Sequence, residues 1–406
     1  MCIRDRPNIP ELVKSDWDAT TGDAEILNKP SKMEMGWRVY AERFIDDRKT
    51  GFSSDSVYTP DAREGVYFRG SGDSLEILGT SHHYETMALS GFISESIDFG
   101  TFTLRPGLRL ELFEQERVDR MQGSLYQDKT LFVMLPGIAF SKSYNNLNVF
   151  GGIHRGFTPP SSGALKILNF GEGIEDSGLD LDSERSWNKE FGVRGKSSLI
   201  DYEIAGFHID IENLVAAGRG TAFKNLGKVT TQGLELRTSL LLSNVFSLLP
   251  NIDVSYAFLS TEVKDATVIS NVSGTYGSEV SINGKELPYS PDHTVTVGLE
   301  YNINSKVNLR GDLRYVSQVY TDFENVTSTS NRGDTGPVPS YSIINASLDY
   351  PVIDRWHLFV SAKNLTDKIY IGSRLHSNPG QPQAHLSSGI LIGPRRQINV
   401  GIRQSL

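Results

Sequence analysis

At 406 residues, with a net charge of −9, 38% hydrophobic residues and a mean hydropathy of −0.28, the chain has room for two or three ordinary domains or one large β-barrel. The acidic balance, with no basic patch, argues against a nucleic-acid partner, and the single cysteine, Cys2, excludes an intramolecular disulfide framework. No stretch reaches the roughly 18 apolar residues of a spanning helix, but a barrel remains open because its alternating strands carry a weak hydropathy signal.

Residues 1–35 do not read clearly. The opening MCIRDRPNIPELVKSDWD has no apolar signal segment, which fits either a cytosolic chain or one whose true start has been lost. MCIRDR itself resembles a leader joined to an incomplete reading frame. From residue 36 onward strand-like alternation dominates. In GTFTLRPGLRLELFE (100–114), Phe102, Leu104, Pro106, Leu108, Leu110 and Leu112 share one parity, while Thr103, Arg105, Arg109 and Glu111 share the other. Residues 131–143 are apolar on both parities and read as a less clean strand. IAGFHIDIEN (204–213) sets Ala205, Phe207, Ile209 and Ile211 against His208, Asp210 and Glu212. HTVTVGLEY (293–301), KVNLRGDLRY (306–315) and the closing QINVGIRQSL (397–406) repeat the pattern.

Connections carry further information. Short links at DFGT, SYNN, KSSLID, LSNVF, NINSK and PVIDR alternate with long polar ones at 47–80, 118–130, 158–182, 215–224, 262–290, 321–339 and 366–392. Repeated structureless loops of that length are foreign to a compact soluble domain. They are expected in an outer-membrane barrel, where periplasmic turns are short and extracellular loops long. In hydrocarbon every backbone donor and acceptor needs a partner, so strands survive there as a barrel. The apolar parity then faces lipid and the polar parity a wet lumen. A β-sandwich is the competing arrangement, but it buries the apolar face against a second sheet and does not explain charged residues on strand after strand. The pattern predicts an all-β, transmembrane, antiparallel up-and-down β-barrel with about fourteen strands between residue 36 and the C-terminus. Trp37, Trp187, Tyr256, Phe258, Tyr301, Tyr315, Tyr350 and Trp356 are placed as interfacial aromatics.

Six stretches carry a resemblance: NVFGGIHRGFTPP (148–160), ERSWNKEFGVRG (184–195), NLGKVTTQGLEL (225–236), ELPYSPDHTVTVGLEY (286–301), AKNLTDKIYIGSR (362–374) and GPRRQINVGIRQSL (393–406). In this order and spacing, over about two-thirds of the chain, they resemble the C-terminal half of a TonB-dependent outer-membrane receptor, in the manner of the ferric dicitrate branch. Each has an architectural reading as well. Pro291 turns a long loop back into a strand, Asn364 and Asp367 close a strand at the outer rim, and GPRR opens the last strand. Gly-rich GGIHRGF permits close approach of neighbouring backbone.

The resemblance implies a barrel of 22 strands with a plug in its lumen, of which 36–406 is an incomplete C-terminal portion of about 14 strands and 1–35 stays unassigned. The plug domain is absent, and two sheet edges are left unpaired. It implies import of a ferric chelate such as ferric citrate or a siderophore across a Gram-negative outer membrane. A TonB complex, reached through the missing plug, energises that import. Iron enters only as part of the ligand, and no cofactor is expected. The lipid bilayer with its lipopolysaccharide, and the barrel-assembly machinery acting on the C-terminal strand, are the remaining implied partners. The family ends on an aromatic with another two residues before it, where this chain has Leu406 and Gln404. A passive porin-type channel and a loop-based binding or adhesion protein are the alternatives. No CxxC pair, HExxH, GxSxG or P-loop suggests an enzyme.

For an anionic chelate, lumen-facing arginines near the outer end are the expected contacts, because guanidinium pairs bidentately with carboxylates. By parity and height these are Arg109 and Arg314, with His154 also lumen-facing and Arg155 ambiguous. Pairing with Glu111, Asp312, Asp210 or Glu212, or with a plug, is the competing role. SRLHSNPGQPQAH (373–385) brings Arg374, His376 and His385 into one outer loop. His82, at the outer end of a descending strand, points away from His83, so the two do not chelate one ion together.

Overall fold

The computed structural model describes residues 32–49, 51–53, 66–68, 78–119, 125–159, 182–217, 223–270, 275, 278–303, 307–331, 333–353, 355–375 and 389–404. The period-2 stretches become strands β1 (Lys32–Lys49), β2 (Gly51–Ser53), β3 (Val66–Phe68), β4 (Leu78–Asp98), β5 (Phe102–Asp119), β6 (Leu125–Tyr144) and β7 (Leu147–Thr158). They continue as β8 (Glu184–Lys196), β9 (Ile200–Ala217), β10 (Phe223–Leu240), β11 (Asn251–Asp265), β12 (Thr267–Ile269), β13 (Glu279–Ser281) and β14 (His293–Ile303). The last are β15 (Val307–Val316), β16 (Tyr341–Ile353), β17 (Trp356–Lys363), β18 (Ile371–Leu375), β19 (Gly389–Ile392) and β20 (Gln397–Gln404).

Fourteen of these form one sheet in the order β1-β4-β5-β6-β7-β8-β9-β10-β11-β14-β15-β16-β17-β20, as the strand count anticipated. Every pairing is antiparallel between neighbours along the chain, the up-and-down pattern. The pairs β2–β3, β12–β13 and β18–β19 are hairpins inside long connections. Among the described residues β1 pairs in this sheet only with β4 and β20 only with β17, so the sheet has two edges. The uncertain 131–143 is the body of β6.

Short and long connections alternate, but two that read as long are largely strand. The β5–β6 pair keeps its register up to Asp119 opposite Leu125, and β9–β10 up to Ala217 opposite Phe223. Polar strand ends that run past the apolar band look like loop in the sequence. Tight turns use residues that tolerate left-handed backbone: Asn145 (φ 45°) joins β6 to β7, and Gly100 (φ 82°) follows Asp98, whose Oδ1 accepts its N–H at 2.8 Å.

Tracing register across the sheet separates two faces. On the outer one lie Leu89, Leu112, Phe132, Met134, Phe191, Leu234, Leu299, Leu313, Ile344, Val400 and Ile402, all exposed. The eight interfacial aromatics all share that face. Tyr301, Tyr350 and Trp356 sit at the short-turn end, Trp187, Phe258 and Tyr315 toward the long-connection end, and Trp37 and Tyr256 between.

Strand β9 departs from its expected facing. Ile204, Gly206, His208 and Asp210 share the outer face with Phe191 and Leu234, and the more apolar parity, Ala205 to Ile211, points inward. The reason is a small core on the long-connection side, where Val229, Val263, Ala266, Val268 and Ile282 are buried with Ile211 and Leu214 packed against them. Burying such side chains contributes about 1.5–3 kcal/mol each. At its outer end, at Ile211, the inward row is therefore covered by protein. The Gly-rich strand behaves as its composition suggests: a Cβ at Gly151 would lie 3.0 Å from the Glu190 carbonyl oxygen and 2.9 Å from the Phe140 ring.

Candidate functional site

The inner face is polar and largely self-paired. Glu300 accepts from Arg310 Nη2 at 3.0 Å and from Asn308 Nδ2 at 2.9 Å. Asn345 Nδ2 donates to Asp312 at 2.7 Å, and Asp349 holds His357 Nδ1 at 2.7 Å and Arg403 Nη2 at 2.9 Å. Arg109 is held by Glu111: Nε donates to Oε1 at 2.6 Å, and Nη2 closes an ion pair with the same oxygen. Glu111 is buried while Arg109 stays exposed, so the charge of Arg109 is already partly compensated. His154, exposed on β7, lines the same inner groove of about 670 Å³ with Arg105, Glu190 and Arg194.

Arg314 differs. It is exposed on the inner face near the long-connection end of β15 and has no ion-pair partner among the described residues. Beside it the rings of Tyr341 and Tyr370 stack with centroids 4.4 Å apart and planes 27° apart. Tyr370 comes from the connection after β17 and reaches this place because Gly393 leaves room. A Cβ at Gly393 would stand 2.2 Å from the Tyr370 ring. Burial, together with the neighbouring Tyr341, raises the pKa of the Tyr370 hydroxyl, and the charge of Arg314 acts in the opposite sense. The phenol is therefore a neutral donor at physiological pH. A guanidinium with no ion-pair partner among the described residues, next to two stacked phenols, suits an anionic, oxygen-rich ligand with planar groups.

Arg374 holds the outer loops together. It is 5% exposed. Its Nη1 donates to the Gly333 carbonyl at 2.6 Å, and Nε and Nη2 donate to the Pro337 carbonyl at 3.2 and 2.8 Å. Its own backbone N–H and C=O both meet the Tyr289 hydroxyl at 3.2 Å. One residue of the β17–β20 connection thus meets two others, the β15–β16 connection through its side chain and the β11–β14 connection through its backbone. These bonds to carbonyls give Arg374 a structural role in the outer loops.

Arg109 and His154 share a groove, whereas Arg314 belongs to the distant β14–β17 sector, so the expected residues do not form one cluster. Arg155 is the register partner of Trp187 on the outer face, its guanidinium 5.8 Å from the ring centroid. His82 lies in β4 opposite Asp46 and Asp119, and its side chain is outside the described residues, as are His376 and His385. Tyr341, Tyr370 and Gly393 were not singled out from the sequence; the first two are far apart in the chain and meet only through strand register and loop return. Among the long-connection motifs, Pro291 stands just before β14, and Asn364 (φ 48°) and Asp367 (φ 54°) make the turn after β17, as read.

An open, antiparallel, up-and-down sheet of this length, apolar outside and polar inside with long connections on one side, is the wall of a receptor-type β-barrel. The profile of the TonB dependent receptor-like β-barrel family matches residues 16–365, and the chain belongs to that family, one of transport receptors and not of enzymes. Similar proteins include the catecholate siderophore receptor Fiu of Escherichia coli K12, 22% identical over 237 residues, which are 56% of this chain and 28% of that receptor. Among solved structures, the ferric citrate transporter FecA superposes with a TM-score of 0.69 at 20% identity, over 93% of this chain and 52% of that one. The siderophore receptor PiuA of Acinetobacter baumannii gives 0.68 at 16% identity, over 92% and 53%. The chain thus spans about half the length of these solved receptors.

Proposed function

We propose that this chain serves in the uptake of a ferric chelate, such as ferric citrate or a siderophore complex, across the outer membrane of a Gram-negative bacterium, energised through TonB. Family membership supports the receptor reading. The single observation that carries the ligand class is Arg314, without an ion-pair partner among the described residues, beside the Tyr341–Tyr370 stack on the inner face. Guanidinium supplies charge-assisted hydrogen bonds to the carboxylate or catecholate oxygens of the chelate, and the two rings supply stacking surface. Arg109 and His154, in a separate groove of the inner face, are secondary contacts because Glu111 already holds Arg109. Iron is cargo in this reading.

The test is equilibrium binding of ferric citrate and of a ferric tris-catecholate to washed outer membranes. Loss of a charge-assisted hydrogen-bonding partner weakens binding by about ten- to a hundred-fold. That is the expected result for Arg314→Ala, with a smaller loss for Arg109→Ala. Unchanged affinity for both chelates in the Arg314→Ala, Arg109→Ala double variant would overturn the assignment.

A further inference from the structure

Beyond Arg314, toward the short-turn side, the inner wall is recessed into a cavity of about 570 Å³ bordered by Tyr370 and Pro394. That volume falls in the range of about 300–1,000 Å³ typical of small-molecule sites. Asp312, which lines it, precedes Arg314 by two residues on the same face of β15 (Val307–Val316), a step of about 7 Å along the strand. Tyr370 belongs to both places: its ring stacks on Tyr341 beside Arg314 and also borders the recess.

The inward parity of these strands carries short polar side chains. Arg310 is the register partner of Ser347, Ser347 of Ser361 and Ser361 of Asn399, so one polar row crosses four strands. Gly298, the register partner of Asp312, leaves its own place open: a Cβ there would meet nothing nearer than the Asp253 Cβ at 3.7 Å.

Charge decides what fits. Among the described residues lining the recess, Asp253, Glu300 and Asp312 stand against Arg310, Lys363 and Arg395. Most are already engaged, Glu300 with Arg310, Asp312 with Asn345 and Arg395 with Asp367. A second anionic group would face three carboxylates. An apolar arm would bury hydroxyls and amides without partners, which is unfavourable. A neutral arm bearing several hydroxyls meets both conditions, since each hydroxyl both donates and accepts, and the Tyr370 ring gives it a surface to lie against.

We propose that the receptor selects chelates that carry a neutral, polyhydroxylated arm such as a glycosyl group. The anionic, iron-holding part sits at Arg314, and the arm enters the recess, where Ser347, Ser361 and Gln397 meet its hydroxyls. Ser347 and Ser361 are the specificity-determining residues. This inference rests on the chelate reading of the Arg314 site and adds a preference among chelates.

The experiment is equilibrium binding, to washed outer membranes, of a ferric tris-catecholate and of the same complex with glucosyl groups on its rings. The wild type should bind the glucosylated complex about tenfold tighter, the scale of one or two added hydrogen bonds. Ser347→Leu fills the recess and should bring the ratio close to one. Ser347→Ala with Ser361→Ala removes the hydroxyls with little change of shape and should lower the ratio about threefold, so a folding failure of the leucine variant does not decide the outcome. Equal affinity of the wild type for the two complexes, or a preference that survives both variants, would overturn the recess; if Arg314→Ala still weakens both complexes, the anion site stands without it. Failure of both complexes to bind the wild type would overturn the recess and the chelate reading together.

Discussion

Asp367 grips Arg395 with both carboxylate oxygens: Oδ1 accepts from Nε at 2.8 Å and Oδ2 from Nη2 at 2.5 Å, while Oδ1 also accepts the Arg396 backbone N–H at 2.9 Å. The contact joins the NLTDK and GPRR segments, the two ends of the connection between β17 and β20. Two motifs distant in sequence are therefore one structural clasp. It also fixes the approach of Gly393 and Tyr370, the pair that completes the candidate site.

Hydrogen bonding to the Arg395 guanidinium first, and to the Arg396 N–H second, holds the Asp367 carboxyl well below the usual carboxylate range. A depressed carboxylate contributes stability that is fully present above the unfolded value of about 3.9 and is lost as pH falls through the folded value. Protection of the segment around Asp367 and Arg395 from protease should therefore be flat between about pH 5 and 8 and fail only in strong acid. Asp367→Asn should show faster cleavage at every pH in that window. Cleavage equal to wild type would remove the clasp from the account.

Arg374→Lys should loosen the connections β15–β16 and β17–β20 together. Lysine cannot reach the Gly333 and Pro337 carbonyls in the fork that guanidinium makes, and orphaned buried hydrogen-bonding groups cost about 1–3 kcal/mol each. Hydrogen exchange should quicken in the connections β15–β16 and β17–β20 alike, and less in β11–β14, which the backbone of residue 374 still meets. Quickening confined to the residues beside position 374 would show that the loops are not tied through it.

Asp322 and Glu286, in outer connections, shift the other way: burial raises both pKa values, with Glu324 adding for Asp322 and Asp292 for Glu286. A carboxyl whose folded value is raised binds its proton more tightly when folded. The folded loops are then favoured below the ordinary carboxylate range and lose stability as pH rises from there through the raised value. Asp322→Asn keeps an acceptor for the Val326 N–H, which Oδ1 now takes at 3.1 Å, and removes the charge. It should flatten that slope in a proteolysis-versus-pH series and protect the loops at neutral pH.

Gly393→Ala should act on the ligand site without touching it chemically. The added methyl collides with the Tyr370 ring, and overpacking of this kind typically costs 1–3 kcal/mol, roughly, when the ring must move. Chelate affinity should fall as it does for Tyr370→Ala, and the double variant should be no worse than either alone. Additive losses would mean that Gly393 and Tyr370 act separately.

Much of the architecture was legible because a half-buried strand imposes period 2, and the alternation of short and long links sets direction. Which parity faces outward is not a property of the strand itself. Ala205 to Ile211 form the more apolar row, yet they point inward, and at the outer end of the row Ile211 packs against the core of Val229, Val263 and Ile282. Polar ends such as Gln127 and Lys129 read as loop although they are paired with Arg117 and Gln115. At the site, Arg314 was accessible to parity and height. The role of Arg374 was not, since its partners are backbone carbonyls that leave no mark on residue type. Tyr341 and Tyr370 meet only because a loop doubles back across β16.

The most direct measurement of the proposed function is uptake of radio-iron, presented as ferric citrate and as a ferric catecholate, by iron-starved cells before and after collapse of the inner-membrane proton gradient. Energised transport predicts accumulation that stops when the gradient collapses and is strongly reduced by Arg314→Ala. Uptake that continues unchanged after collapse, and is indifferent to Arg314, would make the barrel a passive channel and contradict the account.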